Sequence, residues 1–128
     1  MIRDNSQSKP TAPLIGTDSF NCPSGGKSFF YKTLDGVNLR IAIWNEISSK
    51  GTILLQSGRT EFIEKYYEVI QEFVNRGFCV ALMDWRGQGL SDRVAQDIRI
   101  GHVNNFSDYD SDFEEVIRKV YQESCPKP

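Results

Sequence analysis

The chain has little of what most specialised classes need. Among its 128 residues there is one histidine, His102, and three cysteines, Cys22, Cys79 and Cys125. Too few ligands fall at metal-binding spacing to suggest a metal centre. An odd number of cysteines, with Cys79 inside an apolar run, reads as reduced thiols rather than a disulfide framework, and so as a reducing, cytoplasmic setting. Fifteen Lys and Arg against seventeen Asp and Glu give a net charge of -2. The cations are scattered, so no footprint for nucleic acid exists. Long apolar runs are also missing: Phe78-Cys79-Val80-Ala81-Leu82-Met83 stops at Asp84, far short of a membrane span, and no apolar leader follows Met1. Nor does a Gly-x-Ser-x-Gly turn, the usual mount for a nucleophilic serine, occur anywhere.

What is present reads as an α/β pattern. Residues 1–27 mix Ser, Pro, Thr, Gly and Asn with few apolar positions, a composition expected of a flexible arm. Residues 28–34 and 37–44 are β-rich and joined by Asp35-Gly36, a turn pair that tolerates positive φ. In the second run Val37, Leu39, Ile41 and Ile43 alternate with Asn38 and Arg40, which predicts an antiparallel hairpin with one buried face. Thr52-Ile53-Leu54-Leu55-Gln56 and the run 78–83 are continuously apolar, as in strands covered on both faces.

Between them, Phe62, Ile63, Tyr66, Ile70, Phe73 and Val74 fall at three- and four-residue steps. Thr60 is placed to cap this helix and Gly77 to end it, so strand, helix and strand make a right-handed βαβ crossover within a parallel, helix-covered sheet. A second helix is expected from Ser107, in a capping box with Asp110, to about Gln122.

Chemistry in such a sheet gathers in the loops at the carboxyl ends of the strands. Two loops qualify. Ser57-Gly58-Arg59-Thr60 leads toward a helix start, where backbone N–H groups lack helical partners and can face a developing oxyanion; its plainer reading is a tight strand-helix turn. Asp84-Trp85-Arg86-Gly87-Gln88-Gly89-Leu90-Ser91-Asp92 folds its backbone tightly through Gly87 and Gly89, but it lacks the third glycine and following helix of a phosphate cradle.

From Phe30 to about Val120 the chain resembles the N-terminal half of α/β-hydrolase-fold serine hydrolases of the lysophospholipase, monoacylglycerol lipase and serine aminopeptidase-like group. The match rests on the Asp35-Gly36 hairpin, the oxyanion-type loop, Tyr66, and Asp84-x-Arg86-Gly87-x-Gly89-x-Ser91-Asp92. The family writes its oxyanion loop His-Gly-x-Gly-Glu-His; here Gly58 and Glu61 are kept and Ser57 and Phe62 replace the histidines. The resemblance implies that the Arg59 N–H is the oxyanion donor, that Gly58 and Thr60 border the substrate, and that Asp84, Arg86, Gly87, Gly89 and Ser91 shape the site. It implies a lipid-like ester substrate, no cofactor, and peripheral membrane contact through a cap region outside this chain. Lys65 stands one turn beyond Glu61, where the two can pair.

The family's nucleophile, acid and histidine map onto no residue here, and His102 lies in a weakly patterned stretch away from the position of a catalytic histidine. A triad needs its three members in mutual reach. The expectation is therefore the N-terminal part of a serine ester hydrolase domain over residues 28–128, inactive and self-associating by itself. Its rival is a small non-catalytic α/β domain that binds a partner or ligand through the same loops.

Overall fold

A computed structural model describes residues 10–19, 21–93 and 103–126. Strands β1 (Gly26–Lys32), β2 (Asn38–Trp44), β3 (Thr52–Leu54) and β4 (Cys79–Met83) form one sheet in the order β1-β2-β4-β3. β1 and β2 are antiparallel, β2 and β4 are antiparallel, and β3 runs parallel to β4. The hairpin ladder closes at Lys32 and Asn38, so its loop is longer than the Asp35-Gly36 pair alone. Thr33 spans it: its Oγ1 donates to Asp35 Oδ1 and accepts the Val37 N–H at 3.0 Å, while Gly36 turns the chain at φ 88°.

β2 departs from its alternating pattern by being buried on both faces, Arg40 included. On one face Leu39, Ile41 and Ile43 join Ala81 and Met83 beneath the C-terminal helix; on the other Ala42 and Trp44 join Val80 and Leu82 beneath the first helix. Two helical layers thus enclose the sheet, the three-layer arrangement expected when parallel strands are connected by helices.

Helix α1 (Tyr67–Asn75) is entered through a 3-10 turn at Ile63–Tyr66, with Ile63, Tyr67 and Ile70 facing the sheet. Its end follows the sequence expectation. Gly77 at φ 90° donates to the Val74 carbonyl at 2.9 Å and the Phe78 N–H to the Phe73 carbonyl at 3.1 Å, the paired bonds of a Schellman stop. Its beginning does not follow it. Thr60 lies outside the helix at φ 64°, and its hydroxyl donates to the Arg59 carbonyl.

Helix α2 (Phe106–Val116) starts after Asn105, which makes no side-chain cap, so Ser107 is already inside the helix and the expected capping box is not formed. A wide turn at Ile117–Tyr121 carries the helix on to Gln122–Ser124. β3 is shorter than its apolar run and, among the described residues, pairs only with β4; Ile53 and Leu54 are half-buried rather than covered on both faces.

Within the segment whose composition suggests a flexible arm, Pro10, Ala12, Ile15 and Pro23 bond to the sheet and the first helix. Phe30 N–H donates to the Pro10 carbonyl at 2.8 Å and Ala12 N–H to that of Ser28 at 3.0 Å. Further on, the Tyr67 hydroxyl donates to the Ile15 carbonyl at 2.8 Å and the Trp44 indole N–H to that of Pro23 at 2.9 Å. Few apolar residues are needed when backbone groups find partners on an existing sheet edge.

Candidate functional site at the ends of β3 and β4

Asp84 follows the last apolar residue of β4 and is fully shielded from solvent. A buried carboxylate must have its lone pairs met. Asp84 Oδ1 accepts the Ile63 N–H at 2.9 Å, and Oδ2 accepts the Leu90 N–H at 2.9 Å and the Arg40 Nε–H at 2.7 Å. One side chain therefore caps the helical entry on the first loop and closes the second. This is the service expected of Thr60, supplied instead from the next strand. Gly89 is required by the same crowding: a Cβ there would lie 2.2 Å from Asp84 Oδ2, and its φ is 53°.

Arg40 turns its remaining donors to Glu64, Nη1 to Oε2 at 2.6 Å and Nη2 to Oε1 at 2.5 Å, and to the Pro13 carbonyl at 2.9 Å. Burial pushes the Asp84 carboxyl above the usual range, against the pull of Arg40 and the two N–H donors. Burial also pushes Glu64 up, but the hydrogen bonds and charge of Arg40 together with the Ile15 N–H outweigh it, and Glu64 ends below its ordinary value.

The first loop is braced by Glu61. Its Oε1 accepts the Gly58 N–H at 2.8 Å and the Tyr66 hydroxyl at 2.9 Å, and Lys65 Nζ lies 3.1 Å from Oε2, the i,i+4 pair anticipated from the sequence. These contacts, the Tyr66 hydroxyl foremost, hold the Glu61 carboxyl below its usual range. The Thr60 N–H goes to Gln88 Oε1 and the Trp85 indole N–H to the Ser57 carbonyl at 2.9 Å, tying the two loops together. The main-chain donors of Gly58 and Thr60 are thus committed within the protein. Arg59 is exposed at the tip between them, and the buried Ser57 hydroxyl makes no hydrogen bond.

In the second loop each residue has a distinct task. The Arg86 guanidinium forks onto Asp112 of α2, Nε to Oδ2 at 2.7 Å and Nη2 to Oδ1 at 2.6 Å, and pairs with Asp35 at 3.0 Å, joining loop, helix and hairpin. Arg86 holds the Asp35 carboxyl below its ordinary range. The Ser91 hydroxyl accepts the Arg40 N–H at 2.8 Å and donates to the Asp84 carbonyl at 2.7 Å, a structural role rather than a nucleophilic one. Gly87, at φ 77°, and Gly89 each offer a carbonyl to Arg93.

Arg40, Glu64, Gln88 and Arg93 are the site-forming residues that sequence reading missed. The available signal was Asp84, a carboxylate directly after a fully apolar strand, which calls for a buried cation nearby. His102 lies outside the described residues. Between the two loops and residues 15–17 opens a cleft of about 650 Å³, bordered by Ile15, Thr60, Phe62, Gln88 and Leu90. Among the described residues no group of three His, Cys, Asp or Glu side chains could hold a metal ion, and no helix is long and apolar enough to cross a membrane.

The fold and these loops have relatives. Lysophospholipase L2 of Escherichia coli K12 is 34% identical over 79 residues, covering 62% of this chain and 23% of that protein. The probable lysophospholipase L2 of Haemophilus influenzae is 33% identical over 87 residues, covering 65% of this chain and 27% of its own length. The chain therefore spans about a quarter of the curated relatives it matches. A soluble variant of monoglyceride lipase from Saccharomyces cerevisiae, solved with a substrate analogue, superposes with a TM-score of 0.60 at 16% identity over 77% of this chain and 32% of that one, a likeness of fold. The profile described as "Serine aminopeptidase, S33" matches residues 47–128, which takes in both loops, and the chain belongs to that family of α/β hydrolases.

Proposed function

We propose that residues 28–128 are the N-terminal part of a serine carboxylic-ester hydrolase domain acting on lysophospholipids or monoacylglycerols, with the nucleophile supplied by polypeptide outside these 128 residues. The carrying observation is the Asp84 carboxylate, which accepts N–H groups from both loops and so fixes the geometry of the cleft between them. In this reading the Arg59 N–H faces the oxyanion of the tetrahedral intermediates that precede and follow the acyl-enzyme, as a main-chain donor preorganised by the Glu61 brace. Gly58 and Thr60 border the bound ester, and the apolar rim at Ile15, Phe62 and Leu90 suits an acyl chain. Reduced thiols at Cys22, Cys79 and Cys125 agree with a cytoplasmic location.

The test is the coding sequence downstream of Pro128 and the activity of the polypeptide it specifies. A Gly-x-Ser-x-Gly segment and turnover of lysophosphatidylcholine are expected, while the 128-residue chain alone takes up no fluorophosphonate. In the active polypeptide Gly58→Val, whose side chain collides with Glu61 Oε1 2.4 Å from the added Cβ, should lower kcat. The loss should be at least about 100-fold, as for removal of an oxyanion donor, while Arg59→Ala costs less than about tenfold. The reverse order overturns the oxyanion assignment. A stop codon with no esterase activity favours a non-catalytic binding domain.

A further inference from the structure

We propose that Cys79 and Cys125 are a redox-modifiable pair, which oxidised glutathione converts to a disulfide joining the start of β4 to the end of the C-terminal helix. Three observations bring the two residues to one corner of the core. Cys125 packs against the core cluster that contains the fully buried Cys79. Thr52 is the parallel-register partner of Cys79, and its hydroxyl donates to the carbonyl of Pro126, the residue after Cys125. The Cys125 N–H donates to the Tyr121 carbonyl at 2.9 Å, which fixes the residue at the helix end.

The chemistry of the pair is asymmetric. The neighbouring Cys125 thiol draws the Cys79 thiol down to about 7, against the cost of burial. The Cys79 sulfur, together with burial, pushes the Cys125 thiol up. The proton thus resides on the half-buried Cys125 and the thiolate character on the buried Cys79. Oxidised glutathione can reach only Cys125. Cys125 Sγ attacks one glutathione sulfur as its proton passes to the Cys79 thiolate; the glutathione disulfide bond breaks, and one glutathione leaves as thiolate and takes a proton from solvent. Cys79 Sγ then attacks Cys125 Sγ and gives up that proton, the mixed disulfide breaks, and the second glutathione leaves with it. Two thiols lose two electrons and two protons, and one oxidised glutathione becomes two reduced ones. Cys79 is the resolving thiol, shielded from external oxidants but in reach of its partner.

Cys22 provides the internal control, since it packs on the opposite face of the sheet and its thiol contacts the Pro23 carbonyl at 3.5 Å. The experiment treats the folded 128-residue chain with excess oxidised glutathione at pH 8, quenches with acid and maps cysteines by peptide mass spectrometry. The expected product is a Cys79–Cys125 disulfide, reversed by dithiothreitol. Cys79→Ala should instead accumulate a glutathione adduct at Cys125, and Cys22→Ser should leave the product unchanged. A stable glutathione adduct at Cys125 in the wild-type chain, or disulfides shared indifferently with Cys22, overturns the proposal. The wild-type map decides the matter even if Cys79→Ala does not fold.

Discussion

Arg40 Nε and Asp84 Oδ2 meet at 2.7 Å with both side chains wholly withdrawn from water. Breaking a buried pair by removing one partner leaves the other charge uncompensated, a loss of about 3–5 kcal/mol. Arg40→Met strands both Asp84 and Glu64 and should destabilise by that amount in urea unfolding. Adding Asp84→Asn removes one stranded charge, so the double variant should be more stable than the sum of the two single losses predicts. Strict additivity would mean that the two residues act independently.

Gly89 and Gly36 make a matched contrast. Both have positive φ, 53° and 88°, but a Cβ at Gly36 meets nothing within 4 Å whereas one at Gly89 runs into the Asp84 carboxylate. Gly36→Ala should cost only the left-handed strain, about 1–2 kcal/mol. Gly89→Ala adds displacement of a buried, fully bonded carboxylate and should cost about 2 kcal/mol more, since its N–H and guanidinium partners lose their acceptor. Equal midpoints in urea for the two variants would remove the argument that Gly89 is fixed by Asp84.

Why Arg40 and Asp84 escaped the sequence reading is physical. Alternation along β2 places Arg40 opposite the core-facing Leu39 and Ile41, and an arginine there ordinarily faces water. What buries it is a carboxylate 44 positions away and another 24 positions away, neither visible in a local pattern. Features closed within a few residues were legible, the Gly77 stop and the Glu61–Lys65 pair, and so was the β3-α1-β4 unit, from two apolar runs flanking a helical spacing. Features that depend on a distant partner were not. Thr60 has the right side chain for a cap, but Asp84 takes the position; Ser107 fits a capping box, but the helix begins one residue before it, with Asp112 on Arg86. The docking of Pro10 and Ala12 on β1 is backbone pairing, which composition does not encode.

Glu64 should shape the acid limb of stability. Its carboxyl lies below its ordinary value of 4.5 because Arg40, by hydrogen bonds and charge, and the Ile15 N–H together outweigh burial. A depressed folded pKa lends stability that is fully present above the unfolded value and is lost as pH falls through the folded one. The contribution should therefore be intact above about pH 5 and fade progressively below 4.5. Asp84 and Asp112, pushed up by burial, bend the curve the other way, so the difference between wild type and Glu64→Gln isolates the Glu64 part. Thermal midpoints at pH 3 to 7 should converge at the acid end and separate above pH 5. A constant gap across that range would show that Glu64 is not linked to protons.

The last expectation concerns β3, which pairs with β4 on one side and has no strand partner on the other among the described residues. Thr52–Leu54 carries no charge, and an apolar edge with unpaired N–H and C=O groups templates addition of another strand. The 128-residue chain should therefore self-associate with rising concentration. Leu54 packs against the core cluster shared with the C-terminal helix, so a lysine there would confound edge blocking with lost burial. Ile53, half-buried and on the opposite face of the strand, is the better position. Ile53→Lys should shift light scattering toward monomer at equal concentration, because a charged side chain on an edge strand resists a second copy. A wild-type chain that stays monodisperse and melts cooperatively as a monomer, with Ile53→Lys indistinguishable from it, would show that the β3 edge does not recruit a second strand.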